Sequence, residues 1–193
     1  MKRRKRPYGR EEVKEAILET AAEMFSKHGV AGVSLRQIAS GAKVNLGLIH
    51  RHFGSKEDLR LQVQNYLAAK LRDEIGMPQS SLEGSWKTLE VLRKNDTFLR
   101  VLARTFLDRN FQGDVQSEFP FVRHQIDLIR REQKNGTIPS DMDPRIVAAG
   151  AMALALGLLV FEPYIVSGTG LDKEYGSEAV DKIIQAWAGF FSN

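Results

Sequence analysis

Apolar residues recur along this chain at helical rather than strand spacing, and no stretch alternates strictly between hairpin-type turns. From Glu11 onward Val13, Ile17, Ala21, Met24 and Phe25 fall on one stripe, and Gly29 follows His28 as a stop. "SLRQIASGA" (34–42) opens on Ser34 with Gln37 three positions later, the pattern of a capping box, and Leu35, Ile38 and Ala39 supply its inner side. "KVN" turns the chain, and Asn45 is suited to cap a third helix from Leu46 to about Phe53. "GSKED" breaks and restarts the chain with Ser55 as cap, and Leu59, Val63, Leu67 and Leu71 stripe a fourth helix. "GMPQSS" (76–81) is the expected hinge. Beyond it the spacing predicts helices near 82–92, 98–107 and 120–134, and then a long apolar one over 144–166 opened by Asp143 and Pro144. A last helix carries Val180, Ile183, Ile184, Trp187, Phe190 and Phe191. The expectation is an all-α fold of about nine helices. A basic arm (1–10) precedes a compact unit (11–72) built around a tight helix–turn–helix, and a larger helical unit follows (81–193).

Charge sharpens this division. Residues 1–75 hold 15 Lys and Arg against 9 Asp and Glu, whereas the remainder holds 13 against 15. A basic front fits a solvated charged face as well as an end that meets a polyanion. "MKRRKRPYGR" has no apolar core of the kind a secretion signal needs, so it reads as a charged tail or as an arm for phosphates. With no cysteine, disulfides and thiolate metal sites are excluded. The apolar run from Ile146 to Phe161 has 16 residues, short of the roughly 20 that span a bilayer, so a buried helix is expected rather than a membrane segment.

The stretch "NLGLIHRHFGSK" (45–56) mixes cationic and apolar residues. His50 and His52 are two apart and point about 200° from one another on a helix, so they cannot share a metal ion. Ile49 and Phe53 can both face inward, with Leu46 or Leu48 partly so, which leaves Asn45, Gly47, His50, Arg51 and one leucine outward near a helix N-terminus that attracts anions. A tight helix–turn–helix with such a second helix suits the DNA major groove, about 12 Å wide. Gly47 either allows close backbone approach or is a permissive surface glycine.

"SLRQIASGAKVNLGLIHRHFGSKEDL" resembles the DNA-binding motif of the tetracycline-repressor (TetR) family of bacterial transcription regulators. Ser34, Ile38, Ala39, Val44, Gly47, His52, Phe53, Ser55, Lys56, Glu57 and Leu59 carry the resemblance, which covers residues 11–72. Asn45 replaces the family's serine cap and keeps its function, and His50 stands where the family has a tyrosine that meets phosphate. A histidine can donate to phosphate, and a charged one adds Coulomb attraction. The resemblance implies that Ser34, Arg36, Gln37, Lys43, Asn45, Leu46, Gly47, His50, Arg51 and Lys56 face DNA. Arg51 is the expected base contact and Lys56 a phosphate contact. Leu46 or Leu48 meets a thymine methyl or packs against the second helix.

It further implies a cytoplasmic, membrane-free repressor that binds a palindromic operator in double-stranded DNA as a homodimer and is released by a small-molecule effector, apolar or aromatic. No cofactor or metal is expected. Trp86, Phe98, Phe106, Phe111, Phe119, Phe121 and His124 lie where the family builds its effector cavity, with His124 and Gln125 as polar anchors. The small-residue run 148–157 and the aromatic last helix point to dimer contacts through Ala151, Ala155, Leu158, Ile184, Trp187 and Phe191, against the alternative of ordinary core. No catalytic motif emerges: His124 near Asp127 is a spacing any surface helix can show, so an enzyme is not expected. A nonspecific architectural DNA-binding protein would explain the basic arm but not the large apolar second unit.

Overall fold

A computed structural model describes residues 9–107 and 119–190. Ten α-helices and one 3-10 turn lie in them, with no strand among the described residues. The helices are α1 (Arg10–His28), α2 (Leu35–Ala42), α3 (Leu46–Phe53), α4 (Lys56–Ile75), α5 (Ser81–Lys94), α6 (Thr97–Leu107), α7 (Pro120–Lys134), α8 (Pro144–Thr169), α9 (Leu171–Tyr175) and α10 (Ala179–Phe190). The short α9, inside a stretch expected to be loop, raises the number above nine. The chain forms two compact units, one of residues up to Asp73 together with the segment from Asn95, the other of Glu74–Lys94 and the residues from Phe119 on.

In the first unit, Ile17, Phe25, Ile38, Ile49, Leu59 and Val63 are fully or almost fully buried in one cluster. Each such side chain contributes about 1.5–3 kcal/mol by leaving water. The segment expected to open the second unit sends α6 here instead. Val101 is fully buried in the cluster, Phe98 packs against it, and the Arg104 guanidinium donates to the Ser26 carbonyl near the end of α1. Tyr66 and Lys70 of α4 reach the carboxylate of Glu19 on α1.

In the second unit α5 packs against α7 and α8, and α10 against α8. Leu89, Leu158, Val180 and Ile184 form the core, flanked by Trp86, Ala155 and Ile165. The expectation of a buried apolar helix is corrected for α8. Only Ala148, Leu158 and Val166 are buried along its 26 residues, while Ile146, Met152, Val160, Phe161 and Tyr164 are exposed. One face is used by neighbouring helices and the opposite face, equally apolar, is left open. The helix runs past Pro163 with a kink at Phe161 (φ −109°, ψ 15°), because the proline lacks an N–H and its ring crowds the carbonyl four residues back. It is the one described helix long and apolar enough to cross a membrane by length and composition.

Candidate nucleic-acid interface

The two helices that would meet DNA are fixed by their caps. At α2, Ser34 Oγ accepts from the Gln37 amide and Gln37 Oε1 accepts from the Ser34 amide at 2.8 Å, closing the capping box. Both side chains thus hold the helix start, and they remain exposed. The turn into α3 passes through Lys43 in the left-handed conformation (φ 58°, ψ 39°), the one non-glycine with positive φ among the described residues. Asn45 Oδ1 accepts from the Gly47 amide at 2.8 Å and starts α3. Gly54, at φ 80° and ψ −111°, ends α3 in a conformation only glycine adopts readily.

Ile49 and Phe53 anchor α3 in the core. Their burial turns Asn45, Gly47, His50 and Arg51 to the exposed side, where Arg36 and Lys43 of the preceding helix and turn are also exposed. Arg36 and Arg51 have no ion-pair or hydrogen-bond partner among the described residues, unlike many cations on the other helices, such as Lys27, paired with Glu23, and Lys87, paired with Glu83. Leu46 and Leu48 both pack in part against the core and are half-buried. Lys56 is half-buried, with Nζ 3.5 Å from the Ala31 carbonyl. Its helix is capped by Ser55 and Asp58, and the Ser55 hydroxyl and amide hold the Asp58 carboxyl below its usual range.

Two features of this edge were not legible beforehand. His50 Nδ1 lies 3.2 Å from the Gly54 carbonyl, so it is the protonated nitrogen that donates there. In the neutral ring Nε2 is then an acceptor, and only the imidazolium can offer a second donor to a phosphate. Gly47 is the other feature. A Cβ built on it would meet only Asn45 Oδ1, at an ordinary 3.4 Å, so the chain itself does not require a glycine there. Gly41 differs: its Cβ would come within 2.8 Å of Thr20 Cγ2 and 2.9 Å of Met24 Cε, which makes it a packing glycine between α1 and α2.

The residues expected around an effector do not converge. Phe98 and Phe106 belong to the first unit, the former packed on its core and the latter 58% exposed. Trp86 flanks the core of the second unit, and His124 Nε2 lies 3.2 Å from the Pro78 carbonyl. Phe119 is exposed, and of the expected residues Phe121 and the polar anchor Gln125 line the cavity of about 340 Å³ beside α5, α7 and α8, where Ile129, Val147 and Met152 join them. Among the expected dimer residues, Leu158 and Ile184 are buried inside the single chain, which is the ordinary-core alternative, because they face α5 and one another. Ala155 flanks that core, and Ala151 and Ala155 also line the cavity. The arm before residue 9, Phe111, Phe191 and the side chain of Trp187 lie outside the described residues. No group of three or more His, Asp or Glu suited to a metal occurs among the described residues.

A helix–turn–helix with an exposed cationic edge and a bare glycine at the start of its second helix defines a DNA-binding protein of the transcription-regulator class. Comparison with known proteins agrees. The profile of tetR-family bacterial regulatory proteins matches residues 17–63. The HTH-type transcriptional repressor Rv3405c of Mycobacterium tuberculosis is 39% identical over 177 residues, covering 91% of this chain and 87% of that protein. The chain belongs to the TetR family. The fold is shared with the transcriptional regulator SCO4942 of Streptomyces coelicolor (TM-score 0.74, 19% identity, 93% of this chain and 98% of that one). It is shared also with a TetR-family regulator from Rhodococcus sp. (TM-score 0.70, 20% identity, 95% and 100%).

Proposed function

We propose that this regulator is a cytoplasmic repressor that binds a palindromic operator as a homodimer and leaves it when a small molecule occupies the α5–α7–α8 cavity. The observation that carries the DNA reading is the pairing of unpartnered Arg36 and Arg51 with Gly47, a glycine no intramolecular contact demands. Arg51 reads a base edge, Lys56, Lys43 and the α2 start engage phosphates, and His50 joins them when charged. The name of the similar Rv3405c supports repression rather than activation.

The open side of α8 supports the dimer. Ile146, Ala149, Gly150, Ala153, Val160 and Tyr164 share one face, all exposed in the single chain, and no atom lies within 4 Å of a Cβ built on Gly150. Small residues at the middle of such a face let two copies of the helix approach closely, and a twofold axis makes the patch self-complementary. The dimer contact is therefore carried by this face rather than by Leu158 and Ile184. Effector release is a population shift: the ligand must prefer the conformation that does not fit the operator, or it changes nothing.

Footprinting on the DNA that flanks the protein's own gene tests this. A protected site with two inverted half-sites about 34–36 Å apart, or a multiple of that, is expected. Uniform protection without symmetry would instead identify a nonspecific coating protein.

A further inference from the structure

The cavity beside α5, α7 and α8 is not closed by the chain that forms it. Leu82 of α5 and Ala151 and Met152 of α8 belong to its wall and are nevertheless exposed, Leu82 and Met152 at 44% each. Phe121 and Val122 of α7 are only half-buried there. A wall that water reaches holds an apolar ligand poorly, because ligand and wall both keep part of their apolar surface hydrated. Ligand sites ordinarily bury most of the molecule they take.

This open wall adjoins the face of α8 that the single chain leaves bare. Residues three and four apart on a helix are surface neighbours. Met152 therefore stands beside Ala148, buried in the cavity wall four positions before it, and beside Ala149, exposed three positions before it. On the other flank Val147 lines the cavity and has the exposed Gly150 as its neighbour three positions on. The bare face carries no charge between Arg145 and Glu162, and only 11% of the most apolar stretch of α8 is buried. A face without charge suits a copy of itself, and Ala149, Gly150 and Ala153 at its middle let the second helix come close.

We infer that the second chain completes the effector cavity: the twin seated on α8 covers the wall at Met152, and the ligand is held by two copies of this protein rather than by one. Both the cavity and the pair are those of the proposed function, on which this assignment rests. A ligand held by both chains must strengthen their pairing by the same factor by which pairing strengthens its own binding. The protein therefore leaves its operator as an intact pair, by a change in the spacing of its two heads and not by falling into single chains.

The test uses the full chain and N-phenylnaphthylamine, a neutral apolar dye whose emission rises when it leaves water. Sedimentation equilibrium with and without saturating dye reads the linkage in the unaltered protein, where the dye should lower the dimer dissociation constant about tenfold or more. Ala153→Arg, outside the cavity wall, should give single chains that bind the dye about tenfold or more weakly. Ala148→Phe, which fills the cavity from its buried wall, should abolish the effect of the dye on pairing, so that dye held on a bare helix face is told apart. The chain has no cysteine, so Met152→Cys supplies a single thiol, and its reaction with a maleimide should slow as rising protein concentration drives pairing. A dimer constant that the dye leaves unchanged or raises would overturn the shared site, as would equal dye affinity of the parent and Ala153→Arg; the DNA reading survives either result. No dye binding by the parent would overturn the cavity as a ligand site and this assignment with it. A parent that stays monomeric and partitions into phosphatidylcholine vesicles would give the bare face to a bilayer and overturn both readings. Linked dye binding and pairing without a footprint on DNA would sink the regulator reading alone.

Discussion

Replacing Gly47 with alanine separates the needs of the fold from those of DNA. The residue sits at the second position of α3, is exposed, and has a φ that any residue can adopt. The added methyl would touch only Asn45 Oδ1, at 3.4 Å. Glycine-to-alanine exchange in a helix is worth up to about 1 kcal/mol, and at a compatible exposed site about 0.4–1 kcal/mol. Gly47→Ala should therefore stabilise the protein by roughly 0.5–1 kcal/mol, read as a higher urea midpoint at fixed protein concentration. The same methyl would stand where α3 meets the groove, and forcing it into a close-packed contact costs about 1–3 kcal/mol. Affinity for the footprinted duplex, measured by anisotropy, should fall about tenfold or more.

Gly41→Ala is the control, because its methyl would strike Thr20 Cγ2 at 2.8 Å and Met24 Cε at 2.9 Å. The methionine end can yield, but Thr20 is buried and stiff at χ1. Overpacking of about 1–3 kcal/mol, less the helix-propensity gain of up to about 1 kcal/mol, leaves a net loss of roughly 0–2 kcal/mol, against the gain expected for Gly47→Ala. Binding by its folded fraction should be nearly unchanged. A Gly47→Ala protein that is more stable and binds the duplex as tightly as the parent would refute the assignment of this glycine to close DNA approach. A Gly47→Ala protein that is destabilised would refute the reading of the space around it.

Four further outcomes follow from the same geometry. Arg51→Ala should relax base preference at one position by about 1–3 kcal/mol, whereas Lys56→Ala should weaken all duplexes alike and lower the salt slope by about 1; competition with single-base operator variants at several salt concentrations reads both, and indistinguishable profiles would contradict the division of labour. Because His50 Nδ1 is engaged by the Gly54 carbonyl, a phosphate can be met only through Nε2, so His50→Ala should weaken operator binding without changing base preference; unchanged affinity would exclude the contact. Ala153→Arg, at the middle of the open α8 face, should give monomers by sedimentation equilibrium and reduce operator affinity, while an unchanged dimer would place the interface elsewhere. The Arg145 guanidinium and amide hold Asp143 at about 2, below its ordinary 3.8, so this carboxylate stabilises the fold above the ordinary value and the contribution is lost as pH falls toward 2. Asparagine keeps the cap without the charge, so Asp143→Asn should narrow its deficit in urea midpoint between about pH 4 and pH 2, and a parallel decline would exclude the coupling.

The reading head was legible because its signals are local. A capping box needs only Ser34 and Gln37 three apart, a cap needs only Asn45 before an apolar period, and the two anchors Ile49 and Phe53 decide which side of a short helix faces out. The structure keeps all of these, and the outward set follows from them. What was not legible there depended on distance in space. Nothing in the sequence around Gly41 and Gly47 separates a glycine held by Thr20 and Met24 from one with open space above it.

The second unit shows the same limit more strongly. Apolar residues encircle α8 from Pro144 to its kink, so periodicity could not say which face its own chain would cover. A helix covered on all sides and one covered half by its own unit and half by a twin have the same composition. Leu158, for which twin contact and ordinary core were both open, is buried within its own chain, while Tyr164 is 82% exposed. Likewise, aromatic residues were the natural candidates for a ligand wall, yet Phe98 and Phe106 sit on a helix that packs with α1. Gln125, expected as a polar anchor, does line the cavity, whereas Gly84, the glycine 41 positions earlier whose missing methyl leaves room for its amide, is not unusual alone. Which end of a buried amide meets a neighbouring helix, and what the missing methyl of a helical glycine would strike, are decided only in space. Caps and stripes announce a fold locally, whereas the lining of a cavity is decided by which faces of helices far apart in the chain meet around it.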